Sequence, residues 1–390
     1  MRVGMLLDHN FPGDNRVERE ASALLQAGHQ VTIVFFKTGV ERPGFGYKTE
    51  EARLIEAACP RLPALRGLYK ALAAYFLLVR WGRRLGWGAV HCHDLPLMAP
   101  AVLAARKLKV PLVFDSHENY PGLVQSWGRL RQVRGRLWRA YEGWAAARAR
   151  AVLTVVEEMR QRLAGPGRAG DKFLVLPNSA SPRVWDSFGI DRAIVDRYQG
   201  RRVITYSGTY GRHKGVDLAV EAAALIKDRF PDLLLVILAD SQDPLRFKLE
   251  ARAARLGLKN NVEIAGWQPF DKLPSFYEAS FAGLVPQAPS LQTEASWPNK
   301  LNEIALAGKP VVAADNRSLK RLVESHGLGL TFRAGDRADL AAKLAWLLDN
   351  PREAARMGQQ GRAWARGRGS WDVHQKILID LYARLEMETP

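Results

Sequence analysis

The stretch that most constrains this chain is Ser296–Asp315, reading Ser-Trp-Pro-Asn-Lys-Leu-Asn-Glu-Ile-Ala-Leu-Ala-Gly-Lys-Pro-Val-Val-Ala-Ala-Asp. It predicts a loop, a short helix, a helix stop and a buried strand in direct succession. Pro298 suits a first helical turn, where its missing N–H is not needed. Leu301, Ile304 and Ala305 share one helix face through their i, i+3, i+4 spacing. Gly308 can close the helix in the left-handed conformation, and Pro310 blocks its continuation. Val311–Ala314 is a continuous apolar run, the pattern of a parallel strand covered on both faces. The N-terminus of the helix, with Asn299, Lys300 and Leu301, presents free backbone N–H groups at the positive end of the dipole, a seat for phosphate. Glu303 lies one turn further on and suits sugar hydroxyls, as the acidic residue of dinucleotide sites does. A diphosphate at the helix end and a ribose beside Glu303 together make one nucleotide diphosphate.

A second stretch points the same way. The predicted strand Val203–Tyr206 runs into Ser207-Gly208-Thr209-Tyr210-Gly211-Arg212-His213-Lys214-Gly215, and a helix follows from Val216. Glycines at Gly208 and Gly211 let backbone approach a phosphate, and Arg212 and Lys214 supply charge. The order Lys-Gly is not that of a P-loop. A solvated basic turn is the structural alternative.

The first half opens with an apolar strand at Met1–Leu7, a turn-rich loop containing Gly13 and Arg16, a helix over Val17–Ala27 and a strand at Gln30–Phe36. This βαβ opening lacks G-x-G-x-x-G, so it is no Rossmann fingerprint. The strand Ala89–Cys92 ends in His93-Asp94, and the strand Val110–Phe114 ends in Asp115-Ser116-His117-Glu118. Functional groups of open α/β sheets sit at such carboxyl ends. His91, Cys92, His93 and Asp94 look metal-like, but adjacent strand residues alternate between faces, and the spaced pairs of structural zinc sites are absent. No metal is expected. Pro177–Pro182 is a turn cluster and the candidate linker. The predicted domains are residues 1–180 and 181–369, with a final helix over 370–390 packing back on the first.

The chain has 390 residues, two or three domains' worth, and a formal net charge of +17. Such a balance implies an acidic partner: a membrane surface, a nucleic acid or a phosphorylated substrate. Residues 61–90 hold six Lys or Arg and no acid, and residues 126–150 hold seven Arg against Glu142 alone. Leu62–Leu85 predicts a helix with Leu65, Leu68, Leu72, Tyr75, Phe76 and Val79 on one side and basic residues around the rest. Trp81, Trp87, Trp127, Trp138 and Trp144 lie among the arginines. Basic aromatic helices suit a membrane interface; core packing with a solvated basic face is the alternative. They also suit nucleic acid by stacking, but no nucleic-acid motif accompanies them, so no specific nucleic acid is expected. Two cysteines, Cys59 and Cys92, and an N-terminus without a signal-peptide pattern fit a cytoplasmic protein.

The motif Pro298-x-Lys300-x-x-Glu303 followed by Ala307-Gly-Lys-Pro-Val-Val312 resembles the donor site of retaining GT-B glycosyltransferases of the family-4 type. The segment Asn15-Arg-Val-Glu-Arg-Glu-Ala21 and the Lys214-Gly215 loop resemble the same group. Two departures stand out: Ala295 occupies the place of the family's first glutamate, and Thr209 that of an arginine. The resemblance implies an α/β fold of two Rossmann-like βαβ domains facing a central cleft, the last helix crossing back to the first domain. It implies donor binding by Gly13, Gly208, Thr209, Lys214, Trp267, Asn299, Lys300, Leu301 and Glu303, with Trp267 near the nucleobase. Arg212 is inferred to replace the missing cation. His117, Lys214 and Glu303 are the catalytic candidates, His117 facing the donor sugar. Arg16, His93, Asp94 and Glu118 are assigned to the acceptor side. The expected activity is transfer from a nucleotide-diphospho-sugar to a lipid-linked or cell-envelope glycan, with retention and with neither cofactor nor metal. The expected place is the inner face of an anionic membrane. The alternatives are a nucleotide-sugar 2-epimerase and an inactive basic membrane- or nucleic-acid-binding relative.

Overall fold

The computed structural model describes residues 1–37, 43–59, 63–125, 131–165, 170–240 and 242–388, with only the backbone at 63, 64, 131 and 212. The chain divides into two compact units, Met1–Pro177 with His374–Pro390, and Asn178–Val373. The expected boundary lay after residue 180, with the last segment starting at 370. Hydrogen bonds show why the break falls elsewhere. The Asn178 side chain donates to Trp297 O at 3.1 Å, and its carbonyl accepts from Asn302 Nδ2 at 2.6 Å. The Trp371 amide donates to Ala180 O at 2.9 Å, and Ser181 Oγ to Asp372 at 3.0 Å. The first two bonds tie Asn178 to the second unit, and the other two hold 180–181 and 371–372 together, so both segments stay on that side.

In the first unit the described strands are β1 (Arg2–Leu6), β2 (Gln30–Phe36), β3 (Arg53–Ala57), β4 (Ala89–His93), β5 (Leu112–Ser116), β6 (Ala151–Thr154) and β7 (Phe173–Val175). They form one sheet in the order β3-β2-β1-β4-β5-β6-β7, and every pair is parallel. The second unit holds β8 (Arg202–Ser207), β9 (Leu233–Leu238), β10 (Val262–Ile264), β11 (Ser280–Val285), β12 (Val311–Ala314) and β13 (Gly329–Phe332). Their order is β10-β9-β8-β11-β12-β13, again all parallel. Parallel neighbours need crossover connections, and a described helix lies between successive strands of each sheet except between β2 and β3. This is the α/β architecture of GT-B proteins. Strand order reverses between β1 and β4 and between β8 and β11, and ligands of open α/β sheets bind at such points.

The opening stretch folds as its pattern dictates. Helix Asn299–Leu306 starts after Pro298, which holds φ −71° and ψ 135°. It ends where Gly308 takes φ +71° and the Lys309 amide donates to Ile304 O at 3.1 Å. β12 is buried along its whole length. A Cβ on Gly283 of β11 would stand 2.4 Å from Ile304 Cγ1. The bare glycine therefore lets this helix lie close on the sheet and fixes where Glu303 stands.

Helix Pro63–Leu85 departs from the usual amphipathic arrangement. Its core face is Ala74 and Leu78, while Leu68 and Phe76 are each 65% exposed. The apolar side foreseen from sequence thus lies largely outside the core. Helix Arg131–Arg148 repeats this: Ala145 and Ala146 are buried, while Leu137 is 65% exposed and Val133 is exposed. Trp127 lies outside the described residues. Among the described residues no helix is long and apolar enough to cross a membrane.

Candidate functional site

The second unit brings the two phosphate-type stretches together. Strand β8 ends at Ser207, and Gly208 and Gly211 follow with φ +142° and +144°, values that favour glycine. The Gly208 amide donates to Leu238 O at 2.9 Å. Thr209 is exposed, and its carbonyl accepts from Tyr206 Oη at 2.7 Å. A Cβ on Gly208 would lie 2.7 Å from Lys300 Nζ, so the ammonium of the second stretch rests against the loop of the first. It also lies 3.7 Å from the centroid of the Tyr206 ring. Burial and neighbouring Lys214 hold the Lys300 pKa well below its usual range, and Glu303 works against them. Two lysines crowd one place with a single carboxylate nearby, an environment that calls for a bound anion. The side chain of Arg212 lies outside the described residues; its backbone belongs to the turn Arg212–Lys214.

Glu303 is buried, and Ser207 Oγ donates to its Oε2 at 3.3 Å. Burial pushes this carboxyl up to about 7, and Lys300 and Ser207 pull in the other direction. Leu301 is fully buried and anchors the helix. Asn299 has a buried Oδ1 without a partner. Trp267, 40% exposed, follows β10 and Gly266, whose φ is +81°.

The first unit holds a separate polar cluster at the carboxyl ends of β1, β4 and β5. Its hub is Asp115, which the sequence reading passed over. Arg16 Nε and Nη2 each donate to Asp115 at 2.7 Å, and Arg16 Nη1 donates to Leu176 O at 3.0 Å. The guanidinium is buried. The structure thus places Arg16 inside the cluster. His93 Nδ1 and His117 Nδ1 both lie 3.0 Å from Asp115 Oδ2, and His117 Nε2 lies 3.1 Å from Asp94. Burial would depress His117, but Asp94 and Asp115 raise it well above its usual value, making it an imidazolium with both nitrogens engaged. Burial opposes ionisation of Asp115, yet Arg16, His117 and His93 hold it well below the usual carboxylate range. Asp94 adopts φ +60°, rare for a non-glycine residue and typical of functional strand ends. The Gly13 amide donates to Glu18 at 2.8 Å, so a side chain of the following helix, Asn15–Gln26, already meets it. Glu118 is exposed.

Glu20, His91, His93 and Asp115 bring one potential ligand atom each within 4.8 Å of one another. The alternation argument separated neighbours along β4 but left His91 and His93 on one face, where their rings stack at 4.4 Å. Arg16 Nε stands 2.9 Å from Glu20 and 2.7 Å from Asp115. A guanidinium already holds the place a metal cation would take, so these residues fit a metal poorly.

Sequence reasoning also missed Tyr277, whose hydroxyl lies 2.7 Å from Ser207 Oγ. No local pattern marks it. Asp115 was findable as a carboxylate at the end of a buried strand, two residues before His117.

Comparison with known proteins follows the division of the chain. Residues 187–364 match the family described as glycosyl transferases group 1, and residues 13–179 match the glycosyl transferase 4-like domain. The chain is 27% identical to 2-deoxystreptamine glucosyltransferase of Streptomyces kanamyceticus, over 90% of this chain and 92% of that one. In structure it resembles sucrose-phosphate synthase of Thermosynechococcus elongatus, with a TM-score of 0.83 at 18% identity and full coverage of both chains. It also resembles the HepE protein of Anabaena in complex with UDP-glucose, with a TM-score of 0.74 at 17% identity, over 98% of this chain and 100% of that one.

Proposed function

The chain belongs to the group 1 glycosyltransferases of GT-B fold, and on that footing we propose that it moves a sugar from a nucleotide-diphospho-sugar to a membrane-borne or lipid-linked glycan of the cell envelope. The observation that carries the donor half is the meeting of Lys214, Lys300 and the Gly208 loop beside Glu303. The diphosphate sits on the lysines and the N-terminus of helix Asn299–Leu306, and the ribose hydroxyls hydrogen-bond to Glu303. As the glycosidic bond breaks, charge grows on the leaving diphosphate, and fixed cations there supply the stabilisation that a metal gives other enzymes. The UDP-glucose in the HepE neighbour supports a nucleotide sugar. Transfer with retention and without metal remains part of this proposal, supported by the resemblance at Lys214 and Glu303 and by Arg16 holding the cation place in the first unit.

The acceptor half rests on the first unit. Leu65, Leu68, Leu72 and Phe76 of one helix and Val133 and Leu137 of another are exposed. Arg66, Arg80, Arg134, Arg136 and Arg139 are exposed beside them. Apolar side chains ringed by arginine suit an anionic lipid surface, which would place the protein peripherally on the inner face of the membrane.

Thermal unfolding against UDP-, GDP-, ADP- and TDP-sugars tests the donor site. A ligand at about 100 times its Kd adds roughly 2.7 kcal/mol. A shift with one nucleotide, lost in Glu303→Ala, is the expected result; an equal shift in the variant overturns the assignment. Cosedimentation with vesicles containing anionic lipid, weakened by salt, tests the membrane assignment.

A further inference from the structure

Glu303 must be ionised to accept two ribose hydroxyls, yet it is buried. What surrounds it decides whether it can be. Three elements distant in sequence converge there: the end of β8 with Ser207, helix Leu273–Glu278 with Tyr277, and helix Asn299–Leu306 with Glu303 itself. Ser207 Oγ lies 3.3 Å from Glu303 Oε2 and 2.7 Å from Tyr277 Oη. Each hydroxyl has one proton to give. An ionised carboxylate only accepts, so the Ser207 proton must point to Glu303, and Ser207 Oγ is left to accept from Tyr277. A protonated Glu303 allows the reverse order. The direction of the relay and the charge of Glu303 are therefore linked.

We propose that Ser207 and Tyr277 are positioning residues that orient Glu303 and hold it in its ionised form for the donor ribose. This rests on the donor reading given above. The relay fixes one carboxylate oxygen through a serine that is itself fixed, on a residue that would otherwise turn about its side-chain torsions. The charged and titratable groups facing Glu303 are Lys300 of its own helix, Lys214 beyond it, Tyr206 beneath the Lys300 ammonium and Tyr277. Lys300 draws the carboxyl down and burial drives it up, to about 7. Ser207 thus supports ionisation in the range where the balance is even.

The test is equilibrium binding of UDP-, GDP- and ADP-glucose to the full chain between pH 5.5 and 9, by titration calorimetry. These diphosphate esters have no phosphate proton that titrates near neutrality. In the wild type, the part of the affinity for the preferred donor that Glu303→Gln removes should rise with pH through a midpoint near 7, where Glu303 ionises, while the easier proton loss of Lys300 acts on both proteins alike. Ser207→Ala should move the midpoint up by about one unit, the size of one hydrogen bond to a charged group. That weakens binding about fivefold at pH 7 and little at pH 9. Ser207→Thr should restore the midpoint, and Tyr277→Phe should move it the same way by less. A loss equal at every pH, or an unmoved midpoint in Ser207→Ala, overturns the proposal. If Ser207→Ala does not fold, Tyr277→Phe decides alone. Glu303→Ala separates the two levels. If it leaves donor affinity unchanged, the donor reading fails. If it weakens binding while the serine variant keeps its midpoint, only the relay fails.

Discussion

Replacing Glu303 by glutamine should stabilise the protein at alkaline pH while removing its donor affinity. Burial raises the Glu303 carboxyl from 4.5 to about 7. An acid whose folded-state pKa is raised holds its proton more tightly when folded. The resulting penalty therefore starts to build near pH 4.5 and is complete above pH 7. At 1.36 kcal/mol per unit, it reaches ~3 kcal/mol at pH 8 and stays under ~1 kcal/mol at pH 5. Glutamine keeps the shape and the acceptor for Ser207 but never ionises. Lys300 loses its nearby negative charge in the variant, which trims the gain. The expected net gain is roughly 2 kcal/mol more at pH 8 than at pH 5, or ~4–8 °C in Tm for a unit of this size. The assay is thermal unfolding of both proteins at the two pH values, with and without the preferred donor. The wild type should gain stability from donor and the variant should not. A variant no more stable than wild type at pH 8, relative to pH 5, would refute the burial argument.

The other predictions probe separate parts of the chain. Asp115→Asn removes the shared partner of Arg16, His93 and His117, and breaking a buried ion pair should lower stability by about 3–5 kcal/mol in urea unfolding at pH 7. Because this carboxyl is held well below its usual range, its contribution is present above about pH 4 and fades on acidification, so wild type and variant should converge at low pH. Gly215→Ala places a Cβ 1.7 Å from Pro286 O at φ +68°, and should destabilise by on the order of 2–3 kcal/mol and weaken donor binding through the displaced loop, seen by melting and calorimetry. Leu68→Glu with Phe76→Glu, both at exposed positions, should change Tm little and abolish binding to anionic vesicles; retained binding would show that this helix face is not the one that meets the lipid.

Much of the donor half was legible because its determinants are local. Pro298 and Gly308 bound a helix by their own backbone preferences, and the spacing of Leu301, Ile304 and Ala305 sets the face it buries. The run Val311–Ala314 announces a covered strand, and the glycines at 208, 211 and 215 announce backbone that side chains resist. The basic helices were visible by composition, but which of their apolar residues would reach the core was not. The side carrying Leu68, Phe76, Tyr75 and Val79 suited a membrane interface or a core equally by composition, and the fold packs Tyr75 and Val79 against the core beside Ala74 and Leu78 while leaving Leu68 and Phe76 exposed. Helical spacing tells which residues share a face, not which face a neighbour will cover.

What the sequence by itself determined is the alternation of strands and helices, their stops, and the presence of phosphate-type loops, since each depends on interactions within a few residues. Tertiary structure alone decided the chemistry of both clusters. Asp115 meets Arg16 across 99 positions because β5 lies beside β4 and β4 beside β1. Ser207 meets Glu303 across 96 positions and Tyr277 across 70 because β8, β11 and β12 are neighbours. Lys300 reaches the Gly208 loop for the same reason. Strand order sets these meetings, and strand order follows from how whole elements bury their apolar faces together, which no short segment encodes.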